Sequence, residues 1–183
     1  METNLLIAGF GGQGVMMLGQ LISYAACDNS DKKITYFPSY GAEMRGGTAN
    51  CYVVISDKDI GAPVGDVMDD LIVMNSPSLD RFLPMLKPGG NLFINSSIVK
   101  NEIERRDVNL IEAPVTELSL EMGNPKVLNV IMLGVYIGYT EVLPSNVIEQ
   151  TILEKLGSKT ALLQMNKDAF AKGLEIGKKA RGA

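Results

Sequence analysis

Three glycines near the start of the chain form the pattern best suited to binding chemistry. Gly9, Gly11 and Gly14 match GxGxxG directly after the apolar run 4–8 and before a segment with helical spacing. In such a loop the first glycine permits a tight turn and the second lets the backbone approach a phosphate, while free amides at the helix start attract an anion. The sequence therefore predicts either a phosphate-binding loop or a loop that only packs a strand against a helix.

The acidic residue that would hold ribose hydroxyls in a dinucleotide site belongs at the end of the second strand. Here the second predicted strand, at 34–37, ends at Pro38 and Ser39, and both Asp28 and Asp31 precede it. A site for NAD or FAD is therefore disfavoured. A stand-alone nucleotide-binding oxidoreductase is kept only as an alternative function.

A second glycine-bounded loop carries a carboxylate and a guanidinium. Residues 40–47 have the sequence YGAEMRGG, which includes Glu43 and Arg45. Arg45 has the planar donor set that binds a carboxylate or a phosphate through two parallel hydrogen bonds. Equally, Glu43 and Arg45 could bind each other or the loop backbone, and the residue types alone favour this structural role.

The inventory of metal ligands and catalytic bases is small. The chain has two cysteines, Cys27 and Cys51, and no histidine. An iron–sulfur cluster needs about four thiolates and zinc needs Cys or His sets, so we expect this chain alone to hold neither. Catalysis by Ser-His-Asp or Cys-His groups is excluded within the chain. Both cysteines are expected to be buried small hydrophobic residues, in a protein of the reducing cytoplasm.

Charge and hydropathy disfavour two classes of partner. The net charge is −4, which gives no basic surface for nucleic acid. No apolar run approaches the roughly 20 residues that a membrane span needs. We therefore expect neither nucleic acid nor a membrane as a partner.

Strand-like and helical segments alternate along the chain. Predicted strands cover residues 4–8, 34–37, 48–57, 69–75, 91–99 and 108–114. Predicted helices cover residues 15–27, 76–86, 127–140, 144–156 and 166–180, with Ser76 or Ser78 as an N-cap and residues 87–90 as a turn.

This order predicts an α/β fold, a three-layer Rossmann-like domain with a mostly parallel sheet flanked by helices and the C-terminal helices packed on it. The strand at 48–57 follows its predecessor without a helix, so we expect it to be antiparallel or an excursion. Residues 1–183 are expected to form a single domain.

The two glycine loops together resemble those of the gamma subunit of 2-oxoacid:ferredoxin oxidoreductases. The matching segments are GFGGQG at 9–14 and YGAEMRGG at 40–47, and the similarity is greater to the 2-oxoglutarate and branched-chain types than to the pyruvate type. It extends over nearly the whole chain, through residues 69–97, 129–152 and 166–177. Either loop alone is much less specific than the pair.

The resemblance implies a subunit that is inactive and binds no cofactor by itself. The complex would oxidatively decarboxylate a 2-oxoacid, with 2-oxoglutarate expected, to an acyl-coenzyme A and carbon dioxide, and would reduce ferredoxin. The implied partners are alpha, beta and ferredoxin-like delta subunits, which would hold thiamine diphosphate, Mg and the iron–sulfur clusters. The isolated chain is expected to expose the surface its partners cover and to form a homodimer.

The resemblance also assigns residues to roles. The amides of the first loop, with the Gln13 side chain, are expected to receive coenzyme A phosphates. The residues of this loop are Gly11, Gly12, Gln13 and Gly14. The second loop is expected at an interface or the edge of the active site, through Glu43, Arg45, Gly46 and Gly47. A scaffold subunit without any ligand contact is a further alternative.

Overall fold

The computed structural model describes residues 1–39, 48–156 and 160–182. The strands are β1 (Glu2–Phe10), β2 (Lys33–Ser39), β3 (Thr48–Ser56), β4 (Met68–Val73), β5 (Leu86–Asn95) and β6 (Asn109–Ala113). The helices are α1 (Val15–Asn29), α2 (Ser76–Phe82), α3 (Val115–Glu121), α4 (Leu128–Thr140), α5 (Ser145–Leu156) and α6 (Thr160–Arg181).

The strands form one sheet in the order β2-β3-β1-β4-β5-β6. Strands β1, β4, β5 and β6 are parallel, whereas β3 is antiparallel to both β1 and β2. A parallel neighbour would need a long crossover connection, and the chain between β2 and β3 has no room for one. The predicted mostly parallel sheet and the predicted antiparallel strand are both confirmed.

Both faces of the sheet are covered by helices. Leu6 of β1 and Leu71 of β4 lie in one apolar cluster with Phe82 of α2. Leu5 of β1 and Phe93 of β5 lie in a second, larger cluster, which includes side chains of α1, α4, α5 and α6. Because successive strand residues point to opposite faces, the apolar runs without polar alternation are explained. The predicted three layers, with the C-terminal helices packed on the sheet, are confirmed.

Three local predictions were wrong. The N-cap of α2 is Asn75, whose side-chain oxygen accepts from the Ser78 amide at 2.9 Å, rather than Ser76 or Ser78. Residues 87–90 lie inside β5 rather than in a turn, because β5 already pairs with β4 at Leu86, before a register shift. Helix α6 begins at Thr160, earlier than the predicted residue 166.

Helices α4 and α6 pack along faces that carry glycines. Gly134 and Gly138 of α4 face Gly173 and Gly177 of α6, and a Cβ atom on any of them would meet the backbone of the other helix. This close approach fixes the position of α4, whose first turn lies beside the glycine loop. Within the described part of the chain, none of the helices combines the length and apolar character needed to cross a membrane.

Candidate functional site

The glycine loop lies at the carboxyl end of β1, on the edge of the sheet where the parallel strand β4 also ends. In open α/β sheets, this edge is where ligands bind. At Gly9, a Cβ atom would lie 2.8 Å from the Cβ of Met74, the residue that follows β4. Only glycine therefore fits where the loop leaves the strand. Gly12 and Gly14 have φ values of 93° and 72°, in the left-handed region that favours glycine.

The Gln13 side chain holds the loop from within. Its Oε1 accepts a hydrogen bond from the Phe10 amide at 2.7 Å, and its Nε2 donates to the Met74 carbonyl at 3.0 Å. The Gln13 amide also donates to the Phe10 carbonyl at 3.2 Å. Both polar atoms of the side chain therefore join the loop to the end of β4, which leaves the backbone to meet a ligand.

The start of α1 presents amides without a capping side chain. Gly14 is the N-cap residue, no side chain accepts from the first turn, and that turn contains no acidic residue. The amides of Val15, Met16 and Met17 therefore have no intrahelical acceptor. Gly11 and Gly12 are exposed beside them. Free amides and the positive end of the helix dipole make this end of the loop suited to an anion.

Asn129, at the start of α4, supports the loop from the other side. A Cβ atom on Gly14 would lie 2.5 Å from Asn129 Nδ2, and that amide donates to the Gly14 carbonyl at 3.4 Å. Asn129 is 115 positions away in sequence, so sequence reasoning missed it. The sequence signal that could have indicated Asn129 is the presence of an asparagine near the start of a mostly apolar helix.

The described residues on either side of the second predicted loop lie at the same edge of the sheet. Strand β2 ends at Ser39, and β3 begins at Thr48, which pairs with Phe10. The four residues predicted to act there lie outside the described residues: Glu43, Arg45, Gly46 and Gly47.

The strand order bears on the dinucleotide alternative. In a dinucleotide fold, the second strand lies next to the first and its acidic end meets the ribose. Here β3 lies between β1 and β2, so the end of β2 is two strand positions away from the glycine loop. The geometry therefore does not support a ribose-binding site of that kind.

The two cysteines differ in environment. Cys51 is fully buried on β3, and burial raises the pKa of its thiol to about 12. Cys27 is exposed, near the end of α1, so the prediction that both are buried was wrong for Cys27. Among the described residues, no cluster of three or more His, Cys, Asp or Glu side chains is arranged to hold a metal ion.

A buried carboxylate lies at the opposite edge of the sheet. Asp70 is 3% exposed. It accepts from the Tyr136 hydroxyl at 2.9 Å and from the Asn91 amide at 2.7 Å. Burial raises the pKa of Asp70, although both hydrogen bonds act to lower it. The hydrogen bond between Tyr136 and Asp70 joins α4 to β4 at the edge of the sheet away from the glycine loop.

Comparison with known proteins places these features in a family. The model of the family described as pyruvate ferredoxin/flavodoxin oxidoreductase matches residues 4–176. Ketoisovalerate oxidoreductase subunit VorA of Methanothermobacter thermautotrophicus is 34% identical over 176 residues, which is 95% of this chain and 36% of VorA. The chain thus spans about a third of the length of that relative. 2-Oxoglutarate synthase subunit KorC of Methanocaldococcus jannaschii is 31% identical over 180 residues, 97% of this chain and 95% of KorC.

A solved structure has the same architecture over nearly the whole chain. It is the gamma subunit of a keto/oxoacid ferredoxin oxidoreductase from Geobacter sulfurreducens, with a TM-score of 0.88, 25% identity and coverage of 98% of both chains. The resemblance predicted from the two glycine loops is confirmed. The chain belongs to the pyruvate ferredoxin/flavodoxin oxidoreductase family.

Proposed function

We propose that this chain is the gamma-type subunit of a 2-oxoacid:ferredoxin oxidoreductase complex. The complex would decarboxylate a 2-oxoacid oxidatively, form an acyl-coenzyme A and carbon dioxide, and reduce ferredoxin. The observation that carries the proposal is the match to KorC over 97% of this chain and 95% of that subunit. The chain has no histidine to act as an imidazole base, and we propose that it is active only within the complex.

The proposed substrate is 2-oxoglutarate. Support comes from the KorC subunit of 2-oxoglutarate synthase, which has nearly the same length as this chain. The VorA relative favours a branched-chain 2-oxoacid as the second candidate, at 34% identity. Turnover of the assembled complex with each 2-oxoacid distinguishes the two.

The proposed partners are alpha, beta and ferredoxin-like delta subunits, with ferredoxin as the electron acceptor. We propose that those partners hold thiamine diphosphate, Mg and the iron–sulfur clusters. The complex is proposed to act in the cytoplasm. Residues 1–183 are proposed to act as one domain, which the single six-stranded sheet supports.

The proposed role of this chain is to hold phosphate groups of coenzyme A at the glycine loop. Gly12 and Gly14 give the backbone its open shape, Gly11 is exposed beside them, and the free amides at the start of α1 supply the donors. Gln13 acts from behind the loop, since both its polar atoms are bonded to the backbone at Phe10 and Met74.

Residues of the second loop are proposed to meet a partner subunit or the edge of the active site. They are Glu43, Arg45, Gly46 and Gly47. The pairing of Thr48 with Phe10 supports a position close to the glycine loop for the end of this segment.

The first experiment tests the complex. The chain is expressed with its neighbouring subunits, purified through a tag on this chain, and assayed for reduction of a viologen dye by 2-oxoglutarate with coenzyme A. Co-purification with coenzyme A-dependent dye reduction is expected. A chain that purifies alone, or a complex that is equally active without it, would contradict the proposal and favour a scaffold or unrelated role.

The second experiment tests the phosphate contact with a matched pair of variants. Gly12 has φ 93°, and a Cβ atom added there would have no neighbouring atom within 4 Å. Any side chain is strained at this φ, but Asp and Asn share that strain and are the side chains that adopt positive φ most readily, so Gly12→Asp and Gly12→Asn differ mainly in charge. We expect the Asp variant to raise the KM for coenzyme A about tenfold or more through repulsion of the phosphates, and the Asn variant to stay within about threefold of the original chain.

Both variants should assemble normally, which size-exclusion chromatography checks. Equal KM values for the two variants, both close to that of the original complex, would refute the phosphate contact. Titration of the isolated chain with NADH tests the oxidoreductase alternative, for which tight binding is the required result.

A further inference from the structure

Asn129 is a buried polar residue in the first turn of α4, a helix whose other residues are mostly apolar. Its side chain is 6% exposed and is turned toward the glycine loop. Its Nδ2 donates to the Gly14 carbonyl at 3.4 Å, and a Cβ atom on Gly14 would lie 2.5 Å from that nitrogen. The Asn129 amide therefore occupies the space that any side chain at Gly14 would need.

The carbonyl that Asn129 contacts is also the one from which α1 begins. The Leu18 amide donates to the same Gly14 oxygen at 2.9 Å. The peptide between Gly14 and Val15 is planar and trans, so its carbonyl and the Val15 amide point in opposite directions. The two donors that hold this oxygen therefore also set the direction of the Val15 amide.

The Val15 amide is one of the free donors at the start of α1 that suit an anion. The backbone beside it has more freedom to turn than most, because Gly12 and Gly14 lack a Cβ atom and adopt positive φ. Ordering a donor when a ligand binds costs free energy, whereas a donor that is already held avoids this cost. A contact that holds this peptide before binding thus increases the affinity for an anion.

Helix α4 is a rigid support for Asn129. Its glycine-lined face lies against α6, where Gly134 and Gly138 leave no room for a Cβ atom. On the side toward the sheet, the Tyr136 hydroxyl donates to Asp70 at 2.9 Å. These contacts hold α4 within about three turns of Asn129, so the packed core determines where its amide lies.

We propose that Asn129 is a positioning residue of the glycine-loop site, which directs the Val15 amide toward a ligand phosphate through the Gly14 carbonyl. Asn129 itself does not touch the ligand. The inference rests on the proposed function, because it requires an anionic coenzyme at these amides. It goes beyond that function by assigning a part in anion binding to a residue 115 positions away from Gly14.

The test uses the assembled complex and two anionic probes. Coenzyme A is the proposed ligand, and inorganic pyrophosphate is a competitor that resembles only its phosphate groups. Asn129→Ala removes the donor to Gly14. Asn129→Asp keeps the shape of the side chain but places a carboxylate, which only accepts hydrogen bonds when ionised, against the Gly14 carbonyl. Asn146→Ala makes the same deletion at an exposed asparagine of α5 and is the control.

We expect Asn129→Ala to raise the KM for coenzyme A about fivefold, equivalent to about 1 kcal/mol. The inhibition constant of pyrophosphate should rise by the same factor, because the loss lies at the amides that hold phosphate. The kcat at saturating coenzyme A and the KM for the 2-oxoacid should stay unchanged. Asn129→Asp should raise both constants about tenfold or more, and Asn146→Ala should alter none of these values.

Failure of this inference and failure of the proposed function give different results. If the KM for coenzyme A rises in Asn129→Ala while pyrophosphate inhibits as before, Asn129 contacts another part of the coenzyme and the positioning role is refuted. If both constants stay unchanged in the two Asn129 variants while Gly12→Asp raises them, the positioning role is refuted and the phosphate contact is retained. A fall in kcat with a rise in the KM for both substrates would show a general loss of structure and would also overturn the inference. If pyrophosphate does not compete and Gly12→Asp has no effect, the phosphate contact of the proposed function fails, and the positioning role fails with it.

Discussion

Replacement of Gly138 by alanine tests the closeness of α4 and α6, which positions Asn129 beside the glycine loop. A Cβ atom on Gly138 would lie 2.5 Å from the Leu174 carbonyl oxygen and 3.1 Å from its Cα, whereas ordinary contact begins at 3.4 Å. These atoms belong to the backbone of α6, so no side-chain rotation relieves the overlap. The two helices must separate by about 0.9 Å at this point.

The expected effect of Gly138→Ala is a loss of about 2 kcal/mol in the free energy of unfolding. Overpacking a core costs about 1–3 kcal/mol, and we take about 3 kcal/mol here because two helix backbones must move apart. The higher helix propensity of alanine offsets about 1 kcal/mol of this cost. The sign of the change in unfolding free energy therefore distinguishes a tight crossing from a loose one, because the same substitution stabilises a helix that has space around the glycine.

Urea denaturation followed by circular dichroism measures this change, at equal protein concentrations because self-association would affect stability. In thermal unfolding, a loss of about 2 kcal/mol corresponds to about 4–8 °C for a chain of this size. Gly182→Ala is the control, because its nearest contact to a Cβ atom is 3.7 Å, and it should change stability by less than about 0.5 kcal/mol. Equal or higher stability of Gly138→Ala would refute the tight crossing.

Two further predictions concern titratable groups. Because burial raises the pKa of Asp70, its charged form destabilises the folded chain, and that cost is relieved as pH falls through the folded-state pKa toward the unfolded value of 3.8. The unfolding free energy of the original chain relative to Asp70→Asn should therefore rise as the pH is lowered from neutral toward 3.8 in urea denaturation, and a constant or falling difference would contradict the assignment. The two thiols should also differ in reactivity, because Cys27 is exposed while Cys51 is buried and its thiol pKa is raised to about 12. At pH 8 an aromatic disulfide reagent should modify one thiol in the folded chain and two in denaturant, and Cys27→Ser should abolish the first reaction. Rapid reaction of two thiols in the folded chain would show that Cys51 is accessible.

The fold class could be predicted from the sequence because its determinants are local. Apolar runs bounded by glycine or proline gave the strands, and the lack of a helix between residues 37 and 48 indicated an antiparallel strand. The N-cap of α2 was misassigned because Asn75, Ser76 and Ser78 all have suitable side chains. Only the backbone conformation of Asn75 selects among them.

Other features of the site depend on contacts between distant residues. The hydrogen bond from Gln13 to the Met74 carbonyl spans 61 positions, and the Tyr136–Asp70 pair spans 66 positions. Neither contact leaves a local signal in the sequence. The sequence could therefore identify the glycine loop but not the hydrogen bonds by which Gln13 holds it.

The position of β3 explains why two separate glycine loops together identify this family. Because β3 pairs with β1 along its whole length, Thr48 lies opposite Phe10, directly before the first loop. In a fold with β2 next to β1, the chain after β2 would reach that edge beside the ribose of a dinucleotide. With β3 inserted, β2 ends at Ser39 and β3 begins at Thr48 on the edge of the sheet where β1 also ends. The same insertion thus removes the position of a ribose-binding acid beside the first glycine loop and brings the start of β3 next to that loop instead.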